Sequence, residues 1–144
     1  MSDLKRILVV DDDRQVLRYL TELLQEAGFD TVSCERFLDA KGMLATSRPD
    51  LLLTDLRLGA YNGLQLAILA RERHPGLPVI VLTGYEDPTL RDEATRAGAS
   101  FLVKPVTRTV LLDAVQKAIS VGTDAACRGC LPRRCRGATV AGRG

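Results

Sequence analysis

The stretch Ile7–Val16, ILVVDDDRQV, runs four apolar residues straight into three carboxylates, Asp11, Asp12 and Asp13. Two carboxylates about 5 Å apart, in an effective dielectric of about 20, repel by roughly 3 kcal/mol. A chain that ends a buried run in such a cluster needs something to offset that repulsion. One answer is local: Asp is a favoured helix N-cap, and RQVLRYL follows. The other is a metal dication. The rest of the chain has to choose between them.

Working outward, short apolar runs recur at Thr31–Cys34, Leu51–Thr54, Val79–Leu82 and Phe101–Val103. Each is bounded by turn or charged residues and mostly lacks strict alternation, as in strands buried on both faces of a parallel sheet. Helical patterns separate them. Leu17, Leu20, Leu24 and Ala27 repeat at three and four, and Gly28 supplies a stop. Leu90, Ala94 and Ala97 repeat likewise before Gly98, and Leu111, Ala114, Val115 and Ala118 mark the last helix. Weaker patterns cover Phe37–Ala45 and Leu64–His74. Five strand–helix units predict an α/β fold, a (βα)5 doubly wound five-stranded parallel sheet with helices on both faces. A chain of 144 residues has room for one such core.

Ligands of doubly wound sheets sit at the carboxyl ends of the strands. The first run ends in Asp11-Asp12-Asp13, the third in Asp55, the fourth in Thr83 and the fifth in Lys104-Pro105. Carboxylates, a hydroxyl and an ammonium therefore converge on one edge. Hard oxygen ligands of this kind suit Mg²⁺, which takes one or two carboxylates and keeps waters and phosphate oxygens. A dication would neutralise the opening acidic cluster, while Asp13 reads better as the N-cap.

Taken together, VVDDD, LLLTDLRLGAYNGLQL, VIVLTGY and FLVKP resemble, in order and spacing, the receiver domain of two-component response regulators, the CheY-like, flavodoxin-like fold. The resemblance covers residues 4–121. It implies that Asp55 accepts a phosphoryl group from a histidine kinase or histidine phosphotransfer protein. It implies that Asp11, Asp12, Asp55 and the backbone carbonyl of Arg57 hold Mg²⁺, or Mn²⁺ in its place. Thr83 and Lys104 would contact the phosphoryl oxygens, Thr83 and Phe101 would form the switch, and the Lys104–Pro105 bond would be cis. The output would be a remodelled face of the fourth helix, fifth strand and fifth helix, with Val106, Arg108 and Val110 as candidate contacts to a downstream protein or a second copy. Such a protein catalyses only its own phosphorylation and dephosphorylation.

Arg57 and Tyr85 stand two residues past Asp55 and Thr83, where they are either plain loop residues or shields for the site. His74, beside Pro75 at a helix end, reads as a surface residue favoured by the helix dipole. Leu58-Gly59 stands where the family commonly has Met-Pro, but Gly63 keeps its distance from Asp55 and Asn62-Gly63 suits a turn. Gly84, in place of a frequent Ala, predicts a looser loop.

Two other classes share parts of this pattern. A haloacid-dehalogenase-like phosphatase also starts with Asp-x-Asp, which Asp11 and Asp13 satisfy, but it needs acids after the Lys and does not explain Asp55. A flavodoxin-like flavin binder should carry Gly, Ser and Thr in its first loop, where three carboxylates would repel phosphate.

Charge divides the chain. Residues 121–144 hold five Arg and one acid, so with a formal total of +2 the first 120 residues carry about −2. Nucleic acid is not an expected partner of such a body. The stretch 122–144 is basic and rich in Cys, Arg and Gly, and is expected to be disordered or a cloning or reading-frame scar. Its Cys127, Cys130 and Cys135 lack a fourth zinc ligand. Too few residues remain after the receiver for an output domain, so a lone receiver or one cut from a longer regulator is expected. The apolar run after MSDLKR is too short for a signal peptide or membrane span, which makes the cytoplasm the expected compartment.

Overall fold

A computed structural model describes residues 4–84 and 87–130, with backbone alone for 121–130. The strands are β1 (Arg6–Val10), β2 (Asp30–Cys34), β3 (Leu51–Asp55), β4 (Val79–Thr83) and β5 (Ala99–Val103). They form one parallel sheet in the order β2-β1-β3-β4-β5. Five helices alternate with them: α1 (Arg14–Glu26), α2 (Phe37–Thr46), α3 (Gly63–Arg73), α4 (Pro88–Arg96) and α5 (Arg108–Cys130). The expected (βα)5 architecture is therefore the observed one. A two-residue antiparallel ribbon, Arg57–Leu58 with Tyr61–Asn62, is added between β3 and α3.

Strand residues point alternately to the two faces of the sheet. Ile7, Val9, Leu51, Leu53, Ile80 and Leu82 pack with α1 and α5 in one buried cluster. Leu8, Val10, Leu52, Val79, Val81 and Phe101 pack with α2, α3 and α4 in the other. Both faces are covered over β1, β3 and β4, whose sequences show no polar alternation, whereas β2, Thr31-Val32-Ser33-Cys34 at the sheet edge, alternates and is only half-buried.

Helix ends follow the local sequence. Asp13 Oδ1 accepts from the amides of Gln15 at 2.9 Å and Val16 at 3.4 Å, so Asp13 is the N-cap of α1. At the other end, Gly28 adopts φ +97°, and the amides of Gly28 and Phe29 donate to the carbonyls of Gln25 and Leu24. That left-handed turn closes the helix and returns the chain to β2.

α5 continues to Cys130. Residues 131–144, with Cys135, lie outside the described residues, as does Tyr85. His74 is not simply solvated: it caps α3 half-buried, and its Nε2 lies 2.9 Å from the carbonyl oxygen of Leu44 in α2.

Candidate functional site

The parallel register sets the site. β1, β3 and β4 run in step, with Val10 beside Thr54 and Asp55 beside Leu82, so the residues that follow their ends arrive at one level. Carboxylate oxygens of Asp11, Asp12 and Asp55 all lie within 4.8 Å of one another. Asp11 is fully buried, Asp55 nearly so, and Asp12 is exposed.

Lys104 reaches in from the end of β5. Its Nζ lies 2.8 Å from Asp55 Oδ1 and 3.2 Å from Asp11 Oδ2. Its backbone amide donates to the carbonyl of Thr83 at 2.7 Å, and the Lys104–Pro105 peptide is cis, as expected. Burial alone would lower the ammonium pKa, but hydrogen bonding and attraction from Asp55 and Asp11 raise it on balance. One ammonium thus serves two carboxylates and leaves Asp12 to others.

Asp11 shows what that shortfall costs. Burial pushes its carboxyl up, and Asp55 adds to the rise. The amide of Asp13, which donates to Asp11 Oδ1 at 2.9 Å, and Lys104 oppose the rise without cancelling it. Three clustered carboxylates with one shared cation fit a small, hard divalent ion that prefers oxygen donors.

Backbone packing fixes Asp55. The amide of Gly63 donates to the carbonyl of Leu56 at 2.6 Å, and a Cβ at Gly63 would collide with the backbone carbonyl of Asp55. Glycine there lets α3 start directly against the end of β3. Asn62 caps that helix, accepting from the amide of Leu64, while Gln65 reaches back to the amide of Asn62.

Thr83 closes β4, almost fully buried, in register with Val103. Phe101 is also buried, on the α2–α4 side, with the Arg91 guanidinium 4.9 Å from its ring centre. The Arg57 side chain is exposed and begins the ribbon. Asp13 stays outside the cluster, its oxygen engaged as a helix cap, so Asp11 and Asp13 do not form a working pair.

Of the candidate contacts on the output face, Val106 is buried against the α1–α5 side and Arg108 pairs with Glu26 of α1 at 2.8 Å. Only Val110 of the three is an exposed apolar group. Sequence reasoning missed Tyr61, whose ring stacks on Phe37 at 4.4 Å, and the Gly59 amide, which donates to Asp12 Oδ2 at 3.3 Å. A Gly in a short loop was the available signal for the second; no pattern pointed to the first.

Comparison with known proteins agrees with this geometry. The family model described as the response regulator receiver domain matches residues 7–116. The chain belongs to the response-regulator receiver family. It is 35% identical over 115 residues to the DNA-binding transcriptional regulator NtrC of Escherichia coli, covering 79% of this chain and 24% of that protein. It is 37% identical over 103 residues to the response regulator protein PilR of Pseudomonas aeruginosa, covering 71% of this chain and 23% of PilR. The receiver thus spans about a quarter of the length of these curated relatives.

Among solved structures, a CheY-like receiver domain protein from Methanospirillum hungatei matches with TM-score 0.80 at 27% identity, over 85% of this chain and 99% of that one. The beryllofluoride-activated NtrC4 receiver domain dimer matches with TM-score 0.78 at 25% identity, over 83% and 99%. The phosphatase alternative finds no support in any of these matches.

Proposed function

We propose that this receiver accepts a phosphoryl group on Asp55 from phosphohistidine on a histidine kinase or phosphotransfer protein. The observation that carries the reading is Lys104 Nζ, 2.8 Å from Asp55 Oδ1, beside oxygens of Asp11, Asp12 and Asp55 within 4.8 Å. An Asp55 oxygen attacks phosphorus, the bond to the donor nitrogen breaks, and its electron pair leaves with the imidazole. An acyl phosphate results.

Asp11, Asp12, Asp55 and the Arg57 carbonyl would hold Mg²⁺, and Mn²⁺ satisfies the same donors. The ion would supply charge neutralisation and orientation for the transferring phosphoryl group. Lys104 contributes a fixed positive charge beside Asp55. Thr83 donates its hydroxyl to a phosphoryl oxygen, and Phe101 repacks as Thr83 moves. The surface of α4, β5 and α5 carries the change to a downstream protein or to a second copy of the chain, as a shift of population between two states. Arg57 and Tyr85 slow hydrolysis by shielding the line along which water attacks. The protein turns over no external substrate. A cytoplasmic setting suits this role, and no helix among the described residues is long and apolar enough to cross a membrane.

Incubation with acetyl phosphate and Mg²⁺, read by intact mass, tests the proposal. One phosphoryl group is expected with Mg²⁺ and none in chelator, and Asp55→Asn is expected to stay unlabelled. Equal labelling of Asp55→Asn would overturn the assignment.

A further inference from the structure

After Asp55 the chain leaves the sheet and forms the ribbon of Arg57–Leu58 with Tyr61–Asn62. An isolated pair of two-residue strands has too few hydrogen bonds to persist in water. Something else must hold it, and the structure shows three attachments. At its base, Gly63 and Asn62 tie it to the start of α3. Along one side, Leu58 is buried in the core. Across from Leu58, its ladder partner Tyr61 lays its ring flat on Phe37, centroids 4.4 Å apart and planes 9° apart.

Phe37 is the first residue of α2 and is itself buried. Tyr61 remains 42% exposed, so its ring is a clamp at the surface rather than core filling. At the tip, Gly59 turns with φ +64° and its amide points at Asp12 Oδ2, 3.3 Å away. The ribbon therefore begins at Arg57, whose carbonyl is a proposed metal ligand, and touches Asp12, another.

We propose that Tyr61 is a positioning residue for the divalent metal: its stack on Phe37 holds the ribbon in the place from which Arg57 and Asp12 serve the ion. The inference rests on the Mg²⁺ reading above. The ring touches neither metal ligand. It acts by removing the freedom of the segment that carries one and orients the other, so that less order has to be imposed when the ion enters.

The test is calorimetric titration of Mg²⁺ into the wild-type protein, Tyr61→Phe, Tyr61→Leu and Tyr61→Ala, with thermal melting of each in chelator. Tyr61→Phe keeps the stack and is expected to bind as the wild type does. Tyr61→Ala and Tyr61→Leu are expected to bind about fivefold more weakly, the factor one aromatic pair converts to. The exchange rate of the Gly59 amide is expected to rise in the same two variants. Leu keeps apolar cover without a stacking ring, so wild-type affinity in Tyr61→Leu would show that cover alone matters and overturn the proposal. Equal affinity in wild type and Tyr61→Ala would also overturn it, leaving the metal reading intact. Absence of Mg²⁺ binding by the wild type would overturn both.

Discussion

Helices α1 and α4 both lie against the parallel sheet, but on opposite faces and with unequal grip. α1 buries Leu17, Leu20, Leu23 and Leu24, whereas α4 buries only Ala94. A buried Leu side chain stabilises by about 1.5–3 kcal/mol, and an Ala contributes far less. α1 starts at Asp13, directly after Asp11 and Asp12, and is closed by Gly28. It is the fixed base that holds the acids in place. α4 follows the Thr83 loop and meets the core around β5 through Ala94, the half-buried Leu90 and the Arg91–Phe101 contact. An element with so few buried contacts can move at low cost, and movable elements of proteins are drawn from that end of the stability range. Rigid ligands on one side and a loosely held helix on the other suit a domain that binds in one place and reports in another.

The largest test of this contrast is truncation on each side. Leu24→Ala is expected to lower the unfolding free energy by about 2–5 kcal/mol in urea titrations. Ala94→Gly should cost only about 1 kcal/mol, mostly through helix propensity. Comparable losses would mean that α4 is anchored as firmly as α1. A finer test removes the contact between α4 and Phe101. Arg91→Ala is expected to cost about 0.5–1 kcal/mol, as an exposed cation–π pair does, and to speed amide exchange in α4 while leaving α1 unchanged. Uniform acceleration across both helices would erase the distinction.

The smallest effect concerns the α2 side of the sheet. Burial, and then the nearby Asp39, push the Cys34 thiol above 9.0. Its folded value is raised, so the folded state keeps a proton that the unfolded chain has lost. The resulting stability is fully present below about pH 9 and disappears as pH climbs through the folded value. Cys34→Ala should therefore flatten the alkaline limb of the stability profile. An unchanged limb in thermal melts between pH 8 and pH 10.5 would place the titrating group elsewhere.

What could be read in the sequence was whatever leaves a local signature. β1, β3 and β4 showed because both faces are covered and their runs are continuously apolar, while β2, half-buried at the sheet edge, left only the short run Thr31–Cys34. The acids, Thr83 and Lys104 showed because each follows such a run, and the fold class says that strand ends meet. Asp13 and Gly28 showed because caps are chosen by residue type. The ribbon did not, since two-residue strands have no period. The Phe37–Tyr61 stack joins residues from different units, and nothing along the chain marks such a pair. His74 met Leu44 for the same reason, across two helices. Val106 was a candidate partner contact, but its burial is decided by packing between α1 and α5, which nothing along the chain marks.

The Lys104–Asp11 pair spans 93 positions of the chain. Its two ends are the residues just after the first strand and just after the last, and Asp55 enters from the middle. Contacts of such sequence separation form late, because the loop between them must close before they bring any gain. The charge cluster is thus assembled only when β1, β3 and β5 have taken their places. A nascent or truncated chain lacking β5 would carry the acids without their ammonium. Competence at this edge is in effect a report that the sheet has closed from its first strand to its last.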